Sequence, residues 1–192
     1  MAPAGRRGSL GRGARPRILE AARTLFTRQG INATSINELR AQARVSKRTL
    51  YQQFASKDDL VLAYLDESER TGATQVLLAR EELGPRARLL ELFTTLADAP
   101  KPIPPDPFVA AAVEFPDPEH PVHRAAVEHN RRLVARVSDL ARAAGARDAD
   151  QVGRRLVLLY LGAAGRVMLD DAATVVSDAH AVAAAILRDA ID

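Results

Sequence analysis

Lys47, Arg48 and Lys57 stand beside Tyr51, Gln52, Gln53 and Phe54 in the stretch VSKRTLYQQFASKDDL, Val45 to Leu60. Those residue types suit a phosphate-bearing partner. A guanidinium fork matches the edge of guanine, a carboxamide matches adenine, and lysine ammonium or tyrosine hydroxyl groups donate to backbone phosphate. The same composition also describes an ordinary solvated helix, so spacing has to decide. Catalytic chemistry finds less support. The chain has no cysteine, no Gly-rich phosphate loop after a strand, and neither a G-x-S-x-G nor an H-E-x-x-H pattern. His120, His123 and His129 contain no i, i+4 pair, so a surface or hydrogen-bonding role suits them better than a metal. We expect no cofactor and no enzyme.

The charge is unevenly distributed. Residues 1–60 hold twelve Lys and Arg against four Asp and Glu, whereas the remainder holds fifteen against twenty. A basic amino-terminal third on a mildly acidic body is the electrostatic footprint of a nucleic-acid-binding module, with a solubilising tail as the plainer alternative. The longest apolar run, Leu156 to Leu169, is interrupted by Arg166 and falls short of the roughly 20 residues a membrane span needs. No membrane association is expected. The absence of cysteine fits a reducing, cytoplasmic location.

Capping residues punctuate the elements that must position the basic window. Residues 1–14, MAPAGRRGSLGRGA, have almost nothing to bury and read as a disordered basic arm. Ile18, Ala22, Leu25 and Phe26 then share one helical face, stopped by Gly30. Ser35-Ile-Asn-Glu38 has capping-box spacing and opens a short second helix. Ser46 caps a third carrying Leu50 and Phe54, and Ser56 a fourth expected to reach about Leu83. Further helices follow around Leu89 to Leu96, Phe108 to Phe115, Val122 to Ala144, Asp148 to Asp170 and Ser177 to Ala190, separated by APKPIPPDP and PDPEHP. Nothing alternates at period two. The fold class is all-α.

Two short helices joined by a tight turn, with a supporting helix before them, make a helix-turn-helix. Residues 15–65, above all TSINELRAQARVSKRTLYQQFASKDDL, resemble the DNA-binding domain of TetR-family transcriptional regulators. The stretch FVAAAVEFPDPEHP resembles a subset of that family. The resemblance implies a helix-turn-helix domain over 15–60 and a helical regulatory and dimerisation domain over 61–192. It implies phosphate contacts from Thr34, Ser35, Tyr51 and Lys57, and base-edge contacts from Lys47, Arg48, Thr49 and Gln52 beside Ser46. Arg44 stands where the turn usually has Gly, and Arg40 where a small residue is usual. Both either snorkel over the helix pair or, for Arg44, add charge near the groove. A residue at the turn with φ > 0 would cost something like 1 kcal/mol without glycine.

RLVLLYLGAAGRVML is apolar around most of its circumference and needs cover on several faces. The resemblance implies a homodimer through the last two helices, with Leu158, Leu161, Gly162, Gly165, Leu169, Val182 and Ile186 at the interface; burial within one subunit is the alternative. Between the two regions, Phe93, Leu96, Phe108, Phe115 and Tyr160 would line a pocket for an unknown small-molecule effector. Glu114, His123, His129 or Asn130 would supply its polar contacts, although aromatics at helical spacing also make plain core. The implied protein is a ligand-responsive repressor that binds double-stranded DNA as a dimer at a pseudo-palindromic operator. An architectural or partner-regulated DNA-binding protein is the other reading.

Overall fold

The computed structural model describes residues 13–72, 74, 79–96 and 106–191. Most of the basic arm lies outside them, as does most of the proline-rich segment. Among the described residues the chain forms nine helices and no strand. They are α1 (Ala14–Gln29), α2 (Ile36–Ala43), α3 (Lys47–Gln53), α4 (Lys57–Thr71), α5 (Pro85–Thr94), α6 (Pro107–Glu114), α7 (Pro121–Ala143), α8 (Ala149–Arg166) and α9 (Ala172–Ile191). No helix among the described residues is long and apolar enough to cross a membrane.

Local chemistry accounts for most of the boundaries. Gly30 ends α1 at φ 88°, its N–H donating to the Phe26 carbonyl. Ser35 and Glu38 complete the capping box of α2, and Ser46 and Ser56 accept from the amides of Thr49 and Asp59 to start α3 and α4. Two expected boundaries differ most. The fourth helix stops at Thr71 instead of reaching Leu83, because Gly72 adopts an extended conformation that a helix cannot pass through. The last helix starts five residues before Ser177, because the Asp171 carboxylate accepts from the Thr174 N–H at 2.9 Å and caps it. Asp171 opens a helix where the sequence suggested that one ended.

The helices enclose two apolar cores. In the first, Ile18, Leu25 and Phe26 of α1, Leu39, Leu50 and Phe54 of α2 and α3 and its flank, and Leu60, Val61, Tyr64 and Leu65 of α4 pack with Phe108, Ala111, Val122 and Ala126. This core is not confined to residues 15–60: α4, α6 and the start of α7 belong to it. The second joins Leu89, Leu92 and Phe93 of α5 to Leu133 and Val137 of α7, Leu156 and Val157 of α8, and Ala183 and Leu187 of α9. Helix α7, 23 residues and about 35 Å long at 1.5 Å per residue, serves both. The α7–α8 pair makes the most extensive contact between helices. It is close enough that a Cβ on Gly153 would lie 2.1 Å from Ser138 Oγ.

Candidate nucleic-acid interface

The reading surface follows from which side of α3 is buried. Leu50 and Phe54 are sunk in the first core, and Arg15 of α1 stacks its guanidinium 4.6 Å from the Phe54 ring while reaching the Gln53 carbonyl at 3.5 Å. With that side fixed, Ser46, Lys47, Arg48, Tyr51 and Gln52 are exposed and Thr49 is half-buried. Among the described residues, Arg44, Lys47 and Arg48 have no salt bridge, so their charges remain available. The Lys47 ammonium sits 6.0 Å from the Tyr51 ring centroid, one helical turn away. Ser46 and Thr49 hydroxyls hydrogen-bond each other at 2.8 Å.

The turn before α3 is held in an unusual backbone state. Arg44 lies at φ 53°, ψ 52°, and no other non-glycine residue described has positive φ. Its N–H donates to the Ala41 carbonyl, and its own carbonyl accepts from Arg17 at 3.5 Å. The side chain stays exposed. Arg40 is exposed too, with its Nε donating to Asn37 Oδ1 at 3.1 Å.

Two of the expected phosphate donors are otherwise engaged. Thr34 is fully buried and its hydroxyl donates to the Gly30 carbonyl at 2.7 Å, because it ties the loop back onto the end of α1. It cannot meet a phosphate. Ser35 is at the surface, but its hydroxyl donates to Glu38 Oε2 at 2.7 Å while accepting from the Glu38 N–H. The Glu38 carboxylate also takes hydrogen bonds from the Ser35 backbone N–H and from Gln29, which together hold its pKa at about 2. The positive end of α2 therefore already faces an anion. Lys57 is different. Its ammonium donates to the Asn32 carbonyl at 3.4 Å, and partial burial lowers its pKa while the carboxylates of Glu114, Asp58 and Glu38 oppose that shift.

The residues expected to form one pocket separate into different places. Phe93, Leu96 and Tyr160 pack in the second core, Phe93 edge-on to Tyr160 at 6.3 Å, and the Tyr160 hydroxyl lies 3.1 Å from Thr74 Oγ1. Phe108 belongs to the first core and stacks on His129 at 3.5 Å. Phe115 stacks on His120, and His123 Nδ1 lies 2.8 Å from the Phe115 carbonyl. The Glu114 carboxylate is taken by the backbone N–H groups of Ile31 and Asn32. Asn130 borders a groove of about 680 Å³ between α7 and α8, together with Val134, Ser138, Arg154, Leu158 and Leu161. The nine residues do not converge, because α6 joins the first core whereas α5 belongs to the second.

One cluster had no signature in the sequence. Arg132 of α7 forms a bidentate pair with Glu69 of α4 at 3.0 and 2.6 Å, and the buried His129 Nδ1 lies 3.6 Å from the same carboxylate. Arg132 holds the Glu69 carboxyl below its usual range, whereas burial lowers the pKa of His129. The partners are 63 residues apart, so no local spacing announces them. At the other end of the body, Leu158 is 75% exposed, Leu169 81% and Val182 48%. Gly162 is exposed and Gly165 and Ile186 half-buried. Gly162 and Gly165 have no atom within 4 Å of where a Cβ would stand.

A capped helix pair joined by a left-handed turn, with bases and carboxamides on the outward side of its second helix, defines a helix-turn-helix DNA reader carried on an all-helical body. Residues 18–64 match the family of bacterial regulatory proteins, tetR family. The crystal structure of SCO4454, a TetR-family transcriptional regulator from Streptomyces coelicolor, is similar over 94% of this chain and 97% of its own, with a TM-score of 0.86 and 31% identity. A TetR-type regulator from Streptomyces avermitilis is likewise 31% identical, with a TM-score of 0.79 over 92% and 97% of the two chains. Two HTH-type transcriptional regulators from Mycobacterium tuberculosis strains are each 36% identical over 80 residues. That match spans 41% of this chain and 40% of theirs. The chain belongs to the TetR family of transcriptional regulators.

Proposed function

We propose that the protein is a sequence-specific DNA-binding repressor, working as a homodimer on a pseudo-palindromic operator and released by a small-molecule effector. The observation that carries this reading is the outward side of α3, where Lys47, Arg48, Tyr51 and Gln52 are exposed and, among the described residues, neither base is in a salt bridge. Arg48 and Gln52, with Lys47 and Thr49, read base edges in the major groove; Tyr51, Lys57 and Arg44 meet backbone phosphate and set the register. Two copies pair through α8, α9 and the turn between them, where uncovered Leu158, Val182 and Leu169 call for a partner. Pairing presents two α3 helices about 34 Å apart, one turn of duplex. An effector that fits only one separation of the two heads weakens binding by its differential affinity, commonly about 1–3 kcal/mol. Helix α4 transmits that change, running from Lys57 beside the reading unit to Glu69, which Arg132 holds against α7.

Selection from a randomised duplex pool tests the assignment. Arg48→Ala and Gln52→Ala are expected to relax preference at particular bases, each by about 1–3 kcal/mol. Tyr51→Phe and Lys57→Ala are expected to weaken all sequences alike, the lysine change also lowering the salt slope by about one. An unchanged base-preference profile in both Arg48→Ala and Gln52→Ala removes α3 as the reading surface. Leu158→Glu is expected to yield single subunits by ultracentrifugation and to abolish operator binding; a persistent dimer moves the interface elsewhere.

A further inference from the structure

Helix α6 is short, and its final residue reaches out of the body into the reading unit. The two carboxylate oxygens of Glu114 accept from the backbone N–H of Ile31 at 2.8 Å and of Asn32 at 2.6 Å, in the loop that joins α1 to α2. The Asn32 side chain returns a hydrogen bond to the Glu114 carbonyl at 2.8 Å. The Asn32 carbonyl in turn accepts from Lys57 at the first turn of α4. A Cβ on Gly30 would come within 3.2 Å of Glu114 Oε1, so the glycine that ends α1 also leaves room for this carboxylate. The chain beyond Glu114 is itself pinned. His123 bonds the Phe115 carbonyl, Phe115 stacks on His120 at 4.6 Å, and His120 Nε2 lies 3.3 Å from Asp58 of α4.

Charge-assisted bonds from one carboxylate to two adjacent amides are strong and directional, and they orient as well as attract. Apolar packing of Phe108 and Ala111 within the first core, chiefly against α7 and also α4, holds α6 in place but tolerates small rotations. The carboxylate fixes a distance and an angle at one point of the loop. Through Asn32 that point leads to Lys57, and through the loop it leads to α2.

We propose that Glu114 is a positioning residue for DNA recognition: it sets the angle at which the α1–α3 unit is held against the body, and hence the separation of the two reading helices in the pair. The inference rests on the dimeric DNA-binding reading given above. Glu114 itself touches no base and no phosphate.

The test uses the full chain and the duplex selected by the wild type, compared with duplexes carrying the same half-sites and one base pair added to or removed from the centre. Glu114→Gln preserves shape but replaces one acceptor by an N–H₂ group aimed at an amide. Asn32→Ala removes only the exposed side-chain bond and serves where the first variant folds poorly. Both variants are expected to keep the base preferences within each half-site while losing discrimination between spacings, by roughly fivefold for Glu114→Gln, the size of one lost hydrogen bond, and by less for Asn32→Ala. A merely structural role would lower all affinities together and leave spacing discrimination unchanged. Wild-type spacing discrimination in both variants overturns the inference and leaves the DNA-binding reading standing. If the wild type selects no duplex, that reading falls and takes this inference with it.

Discussion

Replacing Gly153 by Ala puts a methyl group into a close contact between α7 and α8. The new Cβ would lie 2.1 Å from Ser138 Oγ, 2.8 Å from the Ser138 N and 2.9 Å from its Cα. The hydroxyl could rotate away, but the backbone atoms could not. To reach an ordinary contact of about 3.4 Å, α7 and α8 must part locally by about half an ångström. Overpacking of this kind costs about 1–3 kcal/mol, occasionally more, while alanine in a helix interior recovers up to about 1 kcal/mol relative to glycine. The net expectation is a loss of about 1–2 kcal/mol, or roughly 2–8 °C in melting temperature for a chain of this size. Thermal melts followed by circular dichroism at one fixed protein concentration measure it. Ser138→Ala/Gly153→Ala is expected to remain less stable than Ser138→Ala, because removing the hydroxyl leaves the backbone clash. Gly162→Ala, on the same helix but with open space around it, is expected to leave the subunit's fold intact. A Gly153→Ala protein that melts at or above the wild-type temperature refutes the close-approach argument.

Two further outcomes follow from single residues. Arg44→Gly relieves a left-handed conformation that costs a non-glycine residue about 1–2 kcal/mol, offset by about 0.5–1 kcal/mol of added freedom in the unfolded chain. Chemical denaturation is therefore expected to show a gain of up to about 1.5 kcal/mol, with a salt slope for DNA binding lower by about one if Arg44 neutralises a phosphate; a clear loss of stability means the arginine side chain itself holds the turn. The second concerns Glu38, whose carboxyl stays ionised in the native state down to about pH 2 while the unfolded chain takes up the proton near 4.5. The unfolded state then binds more protons across that window, so this contribution is complete above about 4.5 and disappears as pH falls through 2. The difference in melting temperature between wild type and Glu38→Gln is expected to shrink over the same range, and a pH-independent difference contradicts the linkage.

The helix-turn-helix was legible in the sequence because its signals are local. Ser35 to Glu38, Ser46 and Ser56 each satisfy amides within three residues, and the apolar spacing of Leu50 and Phe54 is set by one helical period. The left-handed state of Arg44 was foreshadowed only by the family resemblance, which puts Gly at that position of the turn. Thr34 was misread because its burial depends on the Gly30 carbonyl folding back over it, a feature of loop geometry that residue type does not encode.

What the sequence by itself determined, then, is the set of helices in the amino-terminal third, the side of α3 that faces outward, and the excess of positive charge beside it. Tertiary structure alone decided that α6 docks on the reading unit and splits the expected pocket, that Glu114 serves a loop 83 residues away, and that the helix pair closes on Gly153 while Gly162 and Gly165 stay open. The physical reason is range. Caps and periodicity are satisfied within one or two turns of backbone, whereas a carboxylate's partner or a glycine's neighbour depends on which helices meet, and that follows from how the apolar faces of the whole chain are shared between two cores.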